Sequence, residues 1–216
     1  MEQDYHKQAW EQVDADFYLK QKNSLNPVRR WFHRNRYRNI LKMVNEEYIE
    51  GMAIVDLGCG SCEWNEDKLP VIGIDYNKSM LTQGIEQGNL SKMIIGDIEN
   101  KNFDDNSVDI VIISEVLEHI NNYDSFLTRI HNMLKPNGVL IISVPYDTLF
   151  SLWRPLFAIQ CFIQWNLLKQ EVYKNAIGHV NNFSPEKLKK LLVDDKFKVE
   201  RMFNSKRFSI FAKARK

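Results

Sequence analysis

Between Ala53 and Trp64 the chain reads AIVDLGCGSCEW, and this stretch narrows the choice of fold more than any other. The apolar run Ala53, Ile54, Val55 meets an acid at Asp56 and then two glycines one residue apart, Gly58 and Gly60. That pattern predicts a buried strand breaking into a tight loop. Glycine has no Cβ, so the backbone there can take φ > 0 and press against a ligand that a side chain would hold away. Glycine pairs also end ordinary strands, so the order of features downstream decides between the two readings.

That order is a regular alternation. Val71–Ile74 predicts a second strand ending in Asp75, Met93–Ile95 a third leading to Gly96 and Asp97, and the apolar run Val108–Ile113 a central fourth strand buried on both faces. A turn at Lys135–Gly138 precedes a fifth strand, Val139–Val144, and Lys198–Phe203 with Arg207–Ala212 predict an antiparallel hairpin. Helices are predicted over Pro27–Glu47 with Asn26 as its cap, Lys78–Gln87, Asn121–Met133, and Pro185–Leu192 with Ser184 as its cap. Alternating strands and helices imply an α/β fold. Ser61–Pro70 is too short for a full crossover helix, which needs about a dozen residues or more. In an open parallel sheet ligands gather at the carboxyl ends of the strands, and a carboxylate at the end of strand two suits a ribose diol.

The motifs DLGCG (Asp56–Gly60), GID (Gly73–Asp75), GD (Gly96–Asp97), EVLEH (Glu115–His119) and LKPNG (Leu134–Gly138) stand in the order that resembles the class I S-adenosylmethionine-dependent methyltransferases. The resemblance runs from Ile54 to Val199, with Asn137 where the family has a glycine and Cys62 where it has a third loop glycine. It implies a Rossmann-like doubly wound sheet, mostly parallel, with an antiparallel C-terminal strand. It also implies S-adenosylmethionine as cofactor, held by Asp56, Gly58, Gly60 and Ser114, with Asp75 on the ribose, Tyr76 against the adenine, Asp97 on its amino group and the Ile98 amide on a ring nitrogen. The expected organisation is one domain over 1–216, with a helical lid at 1–48 and a substrate-side insertion at 146–178. A dinucleotide site would need GxGxxG and an acid about 20 residues further on. Cys62 and Glu63 supply no third glycine, and Asp75 arrives early.

Methyl transfer needs an aligned nucleophile and, for a hydroxyl, a base. His119 is the candidate base, with Glu115 and His179 as further catalytic candidates. Glu115, Glu118, His119 and His179 together resemble the metal sites of the small-RNA 2′-O-methyltransferases and the ubiquinone-pathway O-methyltransferases, a donor set that suits Mg²⁺, Mn²⁺ or Zn²⁺. Three residues apart, Glu115 and Glu118 are expected to share a helical face. The same run occurs in methyltransferases that use no metal, and both readings stay open.

A net charge of +1 over 216 residues hides segregation: Lys20 to Met43 holds eight Lys or Arg and no acid. Such a face is a solvated helix surface or a site for phosphates of a lipid surface, a substrate or RNA. Leu149–Leu168 is apolar nearly all round, but beyond Pro155 it is shorter than the about 20 residues of a bilayer span. It reads as a lid and pocket wall, a homodimer surface, or a patch resting on a membrane. Three cysteines and a polar Met1–Trp10 without an apolar core predict a cytoplasmic protein, peripheral to the membrane if 27–47 and 149–168 both touch it. The expected activity is methyl transfer to an oxygen or nitrogen of a small, hydrophobic or lipid-linked acceptor. The alternatives are metal-assisted 2′-O-methylation of RNA and cofactor binding without catalysis.

Overall fold

Five strands, spaced by helices and loops, form the parallel part of the sheet. The computed structural model describes residues 10–101, 103–148, 151, 152, 155, 159, 162, 166 and 181–216. Its strands are β1 (Ile54–Leu57), β2 (Val71–Asp75), β3 (Lys92–Ile95), β4 (Val108–Ser114), β5 (Leu134–Pro145), β6 (Lys198–Ser205) and β7 (Ser209–Arg215). They make one sheet in the order β3-β2-β1-β4-β5-β7-β6. Pairing is parallel from β3 through β5, and β7 runs antiparallel to both β5 and β6. The order reverses between β1 and β4, which creates a switch point at their carboxyl ends, where open α/β sheets bind ligands.

Successive side chains of a strand point to opposite faces, and the two helical layers follow from that alternation. Ile54, Ile110, Ile112 and Ile141 face Tyr37, Ile40 and Val44 of helix α2 (Pro27–Glu47) and Leu81 of α3 (Lys78–Glu86). Val55, Val111, Ile113 and Leu140 face Phe126, Leu127 and Ile130 of α4 (Tyr123–Met133) and Leu188 and Leu192 of α5 (Pro185–Asp194). A short helix, α1 (Phe17–Lys22), precedes α2. Asn26 caps α2 by accepting from the amides of Val28 (3.0 Å) and Arg29 (3.2 Å), with Pro27 in the first turn.

Several boundaries differ from the sequence reading for local reasons. Helix α4 starts at Tyr123 rather than Asn121, because the Asn122 side chain caps it through the Ser125 amide at 3.1 Å. Strand β5 begins at Leu134, with a register break opposite Val108 and Ile110. The turn inside it puts Asn137 at φ 65°, a left-handed position that asparagine tolerates better than most side chains. Between β1 and β2 there is no helix. Asn65, fully buried, holds that crossover by donating to the carbonyls of Leu69 and Asn89 and accepting from the Leu69 amide, while Asn89 donates to the Ser61 carbonyl.

The basic run is not one solvated face. Arg30 donates to the Ser24 carbonyl and Arg34 to the Lys22 carbonyl and the Asn23 side chain, Lys20 pairs with Asp14 and Asp16, and Lys22 with Glu63 and Glu66. Arg36 is buried at 8% exposure. Most of the apolar segment 149–168, with His179 and its neighbours, lies outside the described residues. Leu152, Ile159 and Phe162 are described and exposed. No described helix is long and apolar enough to cross a membrane.

Candidate active site

At the switch point the loop after β1 and the ends of β2 and β3 converge on one carboxylate. Asp75 Oδ2 accepts from the Gly60 amide at 2.8 Å and Oδ1 from the Asn77 amide at 2.9 Å. The Asp75 carbonyl accepts from the Gly96 amide, and the Gly58 amide donates to the Ile74 carbonyl at 2.8 Å. Burial pushes the Asp75 carboxyl up, and the amide bonds oppose that shift. Gly58 (φ 72°) and Gly60 (φ 53°) both occupy the left-handed region. A Cβ on Gly58 would lie 2.6 Å from Val116 Cγ2, and one on Gly60 the same distance from the Tyr18 ring. Cys62 also takes φ 53°, so the loop keeps a glycine-like backbone at its third position without a glycine. Gly96 is different: nothing lies within 4 Å of where its Cβ would be.

Beneath this loop sits Asp56, at 2% exposure. Its Oδ2 accepts from the Trp64 indole at 2.7 Å and from the Cys62 thiol at 3.5 Å, whereas Oδ1 is buried without a partner. Burial pushes the carboxyl up to about 7, and the indole and thiol bonds hold it from going higher. Trp64 packs with Ile54, Val71 and Leu81, so it fills the space of the missing crossover helix as well as holding the acid. Burial also raises the thiols of Cys59 and Cys62 well above the free value, which keeps them protonated and poorly nucleophilic.

Two residues that sequence reasoning did not single out close the crevice from above. The Tyr18 ring of α1 rests on Gly60, and the Arg36 guanidinium of α2 lies 5.8 Å from that ring and 5.0 Å from the Tyr37 ring. Arg36 Nη2 donates to Tyr37 Oη at 3.3 Å, and its Nε is buried without a partner. Burial weakens its hold on the proton, but Tyr37 and Glu115 more than offset this and it stays charged. The signal for Arg36 was its i, i+4 spacing from Phe32 and Ile40 on the apolar stripe; a cation in that stripe has a buried task or none. Asn77 ties the N-terminal segment down by donating to the Trp10 carbonyl at 2.7 Å and the Val13 carbonyl at 3.1 Å.

Tyr76, Asp75, Tyr18 and Asp97 are electrostatic neighbours, and burial followed by Asp75 raises the Tyr76 phenol. Asp97 is organised by its own turn, accepting from the Glu99 amide and the Asn100 side chain. The Ile98 carbonyl accepts from Arg129, and its side chain lines a cavity of about 210 Å³ on the α4 side with Leu57 and Phe126.

The turn after β4 supplies the other wall. Ser114 Oγ lies 3.0 Å from Ser143 Oγ, which donates to Glu115 Oε1 at 3.0 Å. Glu115 takes φ 57°, and only Leu117–His119 forms a helical turn, of the 3₁₀ type. The expected shared helical face of Glu115 and Glu118 is therefore not formed, although their carboxylates still influence each other. Glu118 is 1% exposed with Oε2 unpartnered; burial first, and Glu115 second, raise it well above the usual carboxylate range. Its Oε1 is 3.9 Å from His119 Nε2, and the His119 side chain is 39% exposed. Among the described residues no three His, Cys, Asp or Glu side chains group as a metal site. Glu115, Glu118 and His119 alone do not fit one, and His179, the fourth expected donor, lies outside the described residues.

Residues 55–142 match the protein family described as "Methyltransferase domain". A demethylmenaquinone methyltransferase of Staphylococcus epidermidis is 26% identical over 137 residues, 59% of this chain and 56% of that protein, so the match spans little more than half of that relative. A ubiquinone biosynthesis O-methyltransferase of Rickettsia bellii is 24% identical over 207 residues, 90% of this chain and 78% of that protein. The fold superposes on a SAM-dependent methyltransferase from Aquifex aeolicus with a TM-score of 0.62 at 16% identity, covering 94% of this chain and 99% of that one. The sheet order, the glycine loop and the match over residues 55–142 together support a class I S-adenosylmethionine-dependent methyltransferase.

Proposed function

We propose that the protein transfers a methyl group from S-adenosylmethionine to an oxygen or nitrogen of a small, hydrophobic or lipid-linked acceptor of the phenol or quinol type. The observation that carries this reading is Asp75, whose carboxylate is aimed by the Gly60 and Asn77 amides at the mouth of the β1/β4 crevice. The buried groups around it match the cofactor's functional groups one by one. Asp75 accepts from the ribose hydroxyls, and Tyr76, Asp97 and Ile98 surround the adenine. Asp56 Oδ1, which lacks a partner, accepts from the ammonium, and Arg36 Nε donates to the carboxylate. Gly58 and Gly60 let the backbone close on the methionyl chain, and Ser114 borders the same crevice.

When bound, the cofactor supplies an electrophilic methyl on a sulfonium. The protein aligns the acceptor, excludes water under α1 and α2, and removes a proton. His119 takes that proton on Nδ1, and the imidazolium so formed is stabilised through Nε2 by the Glu118–Glu115 pair. The metal-assisted variant would add His179 to Glu115, Glu118 and His119; with no three-donor set among the described residues, no step is assigned to a metal. In this reading 1–216 is one domain, 1–48 covers the cofactor, and 146–178 forms the acceptor side. Exposed Leu25, Leu152, Ile159 and Phe162 support peripheral contact of a cytoplasmic protein with a membrane.

Calorimetry with S-adenosylmethionine and its demethylated product, followed by transfer of labelled methyl into lipid extracts, quinols and RNA, tests the reading. Binding of both cofactor forms with label in the lipid or quinol fraction is the expected result. Label in RNA alone overturns the acceptor class, loss of activity on chelation brings the metal variant forward, and failure to bind either form overturns the whole reading.

A further inference from the structure

The face of α2 that carries Arg36 continues toward the start of the helix through His33 to Arg29. These residues stand at i+7, i+4 and i, so they line one face over about 10 Å. Arg36 Nη2 lies 3.4 Å from His33 Nδ1, and the His33 ring packs edge-on against Phe32 at 5.2 Å and tilted against Tyr37 at 6.1 Å. The Nε atoms of both Arg29 and Arg36 are buried without a hydrogen-bond partner. Neither guanidinium makes an ion pair among the described residues, and whereas Arg30 and Arg34 on the same helix donate to the carbonyls of Ser24 and Lys22, no carbonyl takes a bond from Arg29 or Arg36 there. Burial, and then the neighbouring guanidiniums of Arg36 and Arg29, hold the His33 imidazole well below its usual range.

Glu115 offsets the burial of Arg36 at the cofactor end, but no acid pairs with the half-buried Arg29 among the described residues, and a neutral imidazole between the two guanidiniums marks a place short of negative charge. Arg36, at the cofactor end, has the methionyl carboxylate to meet. Arg29 and His33 lie outside that reach, on the way to an aromatic rim where Trp31 and Phe32 contact Phe208 at 5.3 and 6.0 Å and Lys206 Nζ sits 5.2 Å from the Trp31 ring. The backbone there is tied to the start of the 146–178 segment, since the Tyr146 amide donates to the Phe208 carbonyl and the Leu152 amide to the Arg207 carbonyl. Resting on the methyltransferase reading, we infer that Arg29 and His33 form a subsite for an oxyanion, a phosphate or carboxylate group carried by the methyl acceptor. The acceptor thus enters along α2 with its anionic group at Arg29 and its nucleophile toward His119.

The test follows the His33 resonance by nuclear magnetic resonance in the full chain saturated with S-adenosylhomocysteine, titrated with inorganic phosphate, with benzoate, and with vesicles containing phosphatidylglycerol. The expected result is that a soluble anion raises the His33 titration midpoint by about one pH unit. Arg29→Gln should abolish this rise and weaken anion binding about tenfold, while Arg29→Lys keeps most of it. Both variants should bind S-adenosylhomocysteine as the parent does. No movement of His33 with either soluble anion, or an equal movement in Arg29→Gln, overturns the subsite. A response to vesicles alone overturns the acceptor assignment in favour of a lipid headgroup. Failure of the parent to bind S-adenosylhomocysteine counts against the methyltransferase reading itself and is seen before any anion is added.

Discussion

The loop after β1 and the turn after β4 face each other across the same crevice, and each leaves one buried carboxylate oxygen without a partner: Oδ1 of Asp56 and Oε2 of Glu118. Their surroundings differ. Asp56 is a single acid held by two neutral donors, Trp64 and Cys62, that come from the loop replacing a crossover helix. Glu118 has a second acid, Glu115, beside it. A lone carboxylate pushed to about 7 still ionises when a cation arrives, which suits the ammonium of a cofactor. Burial and the neighbouring Glu115 push Glu118 toward its protonated form, beside the half-exposed His119. The contrast teaches that two equally buried carboxylates on one crevice are set apart by their neighbours, neutral donors around Asp56 and a second acid beside Glu118.

Four experiments break or sharpen that contrast. Gly60→Val sets a branched side chain against the Tyr18 ring and forces φ 53° on a β-branched residue. Overpacking and left-handed strain of about 3 kcal/mol together should weaken S-adenosylhomocysteine binding about 100-fold by calorimetry. Asp56→Asn should cost about tenfold in affinity at pH 8, where the parent acid is ionised. The sign with pH is specific. The unfolded Asp56 carboxyl titrates at about 4 and the folded one at about 7, so between them the folded state holds a proton that the unfolded chain has lost. Stability from this group therefore falls as pH rises through that window, while cofactor affinity rises with ionisation. Asn at 56 should flatten both trends in urea and calorimetric titrations, and unchanged slopes would sever Asp56 from the ammonium.

Glu118→Gln should change the urea midpoint by less than about 1 kcal/mol at pH 7, because the amide imitates the protonated acid. It should lower the rate of methyl transfer without changing cofactor affinity. A loss of several kcal/mol would show that the carboxylate is ionised and paired in the folded protein, removing the contrast. Gly96→Ala should have the smallest effect, within about twofold on cofactor affinity, since no atom lies near the added methyl. A large effect there would mean that the loop after β3 closes on the adenine more tightly than its geometry shows.

Much of the scaffold was legible because it rests on local patterns. The apolar runs at Ile54–Leu57 and Val108–Ile113 could only be buried strands, Asn26–Pro27 and Ser184–Pro185 could only open helices, and a short 61–70 segment had no room for a crossover helix. The glycines and Asp75 were visible for the same reason: a backbone that must turn left-handed, and an acid at a strand end, both write themselves into adjacent residues. Asn137 and Cys62 looked like departures, yet both hold the left-handed conformation that glycine would have taken.

The local sequence offered for Arg36 only its place on the apolar stripe of α2, and for Tyr18 nothing that marked it as a partner of the crevice. Arg36 stood among eight basic residues that looked alike, and Glu115 and Glu118 looked like neighbours on a helix that turned out to be a single 3₁₀ turn. The sequence by itself determined the order of strands and helices, the glycine loop and the acid at the end of β2, since each depends on residues a few places apart. The tertiary structure alone decided which cation of α2 is buried, which donors hold Asp56 and which acid of the turn after β4 is pushed toward protonation. Burial and electrostatic pairing are properties of residues brought together from 20 to 80 positions apart, as Arg36 is with Glu115 and Tyr18 with Gly60, and a linear string carries no record of that proximity.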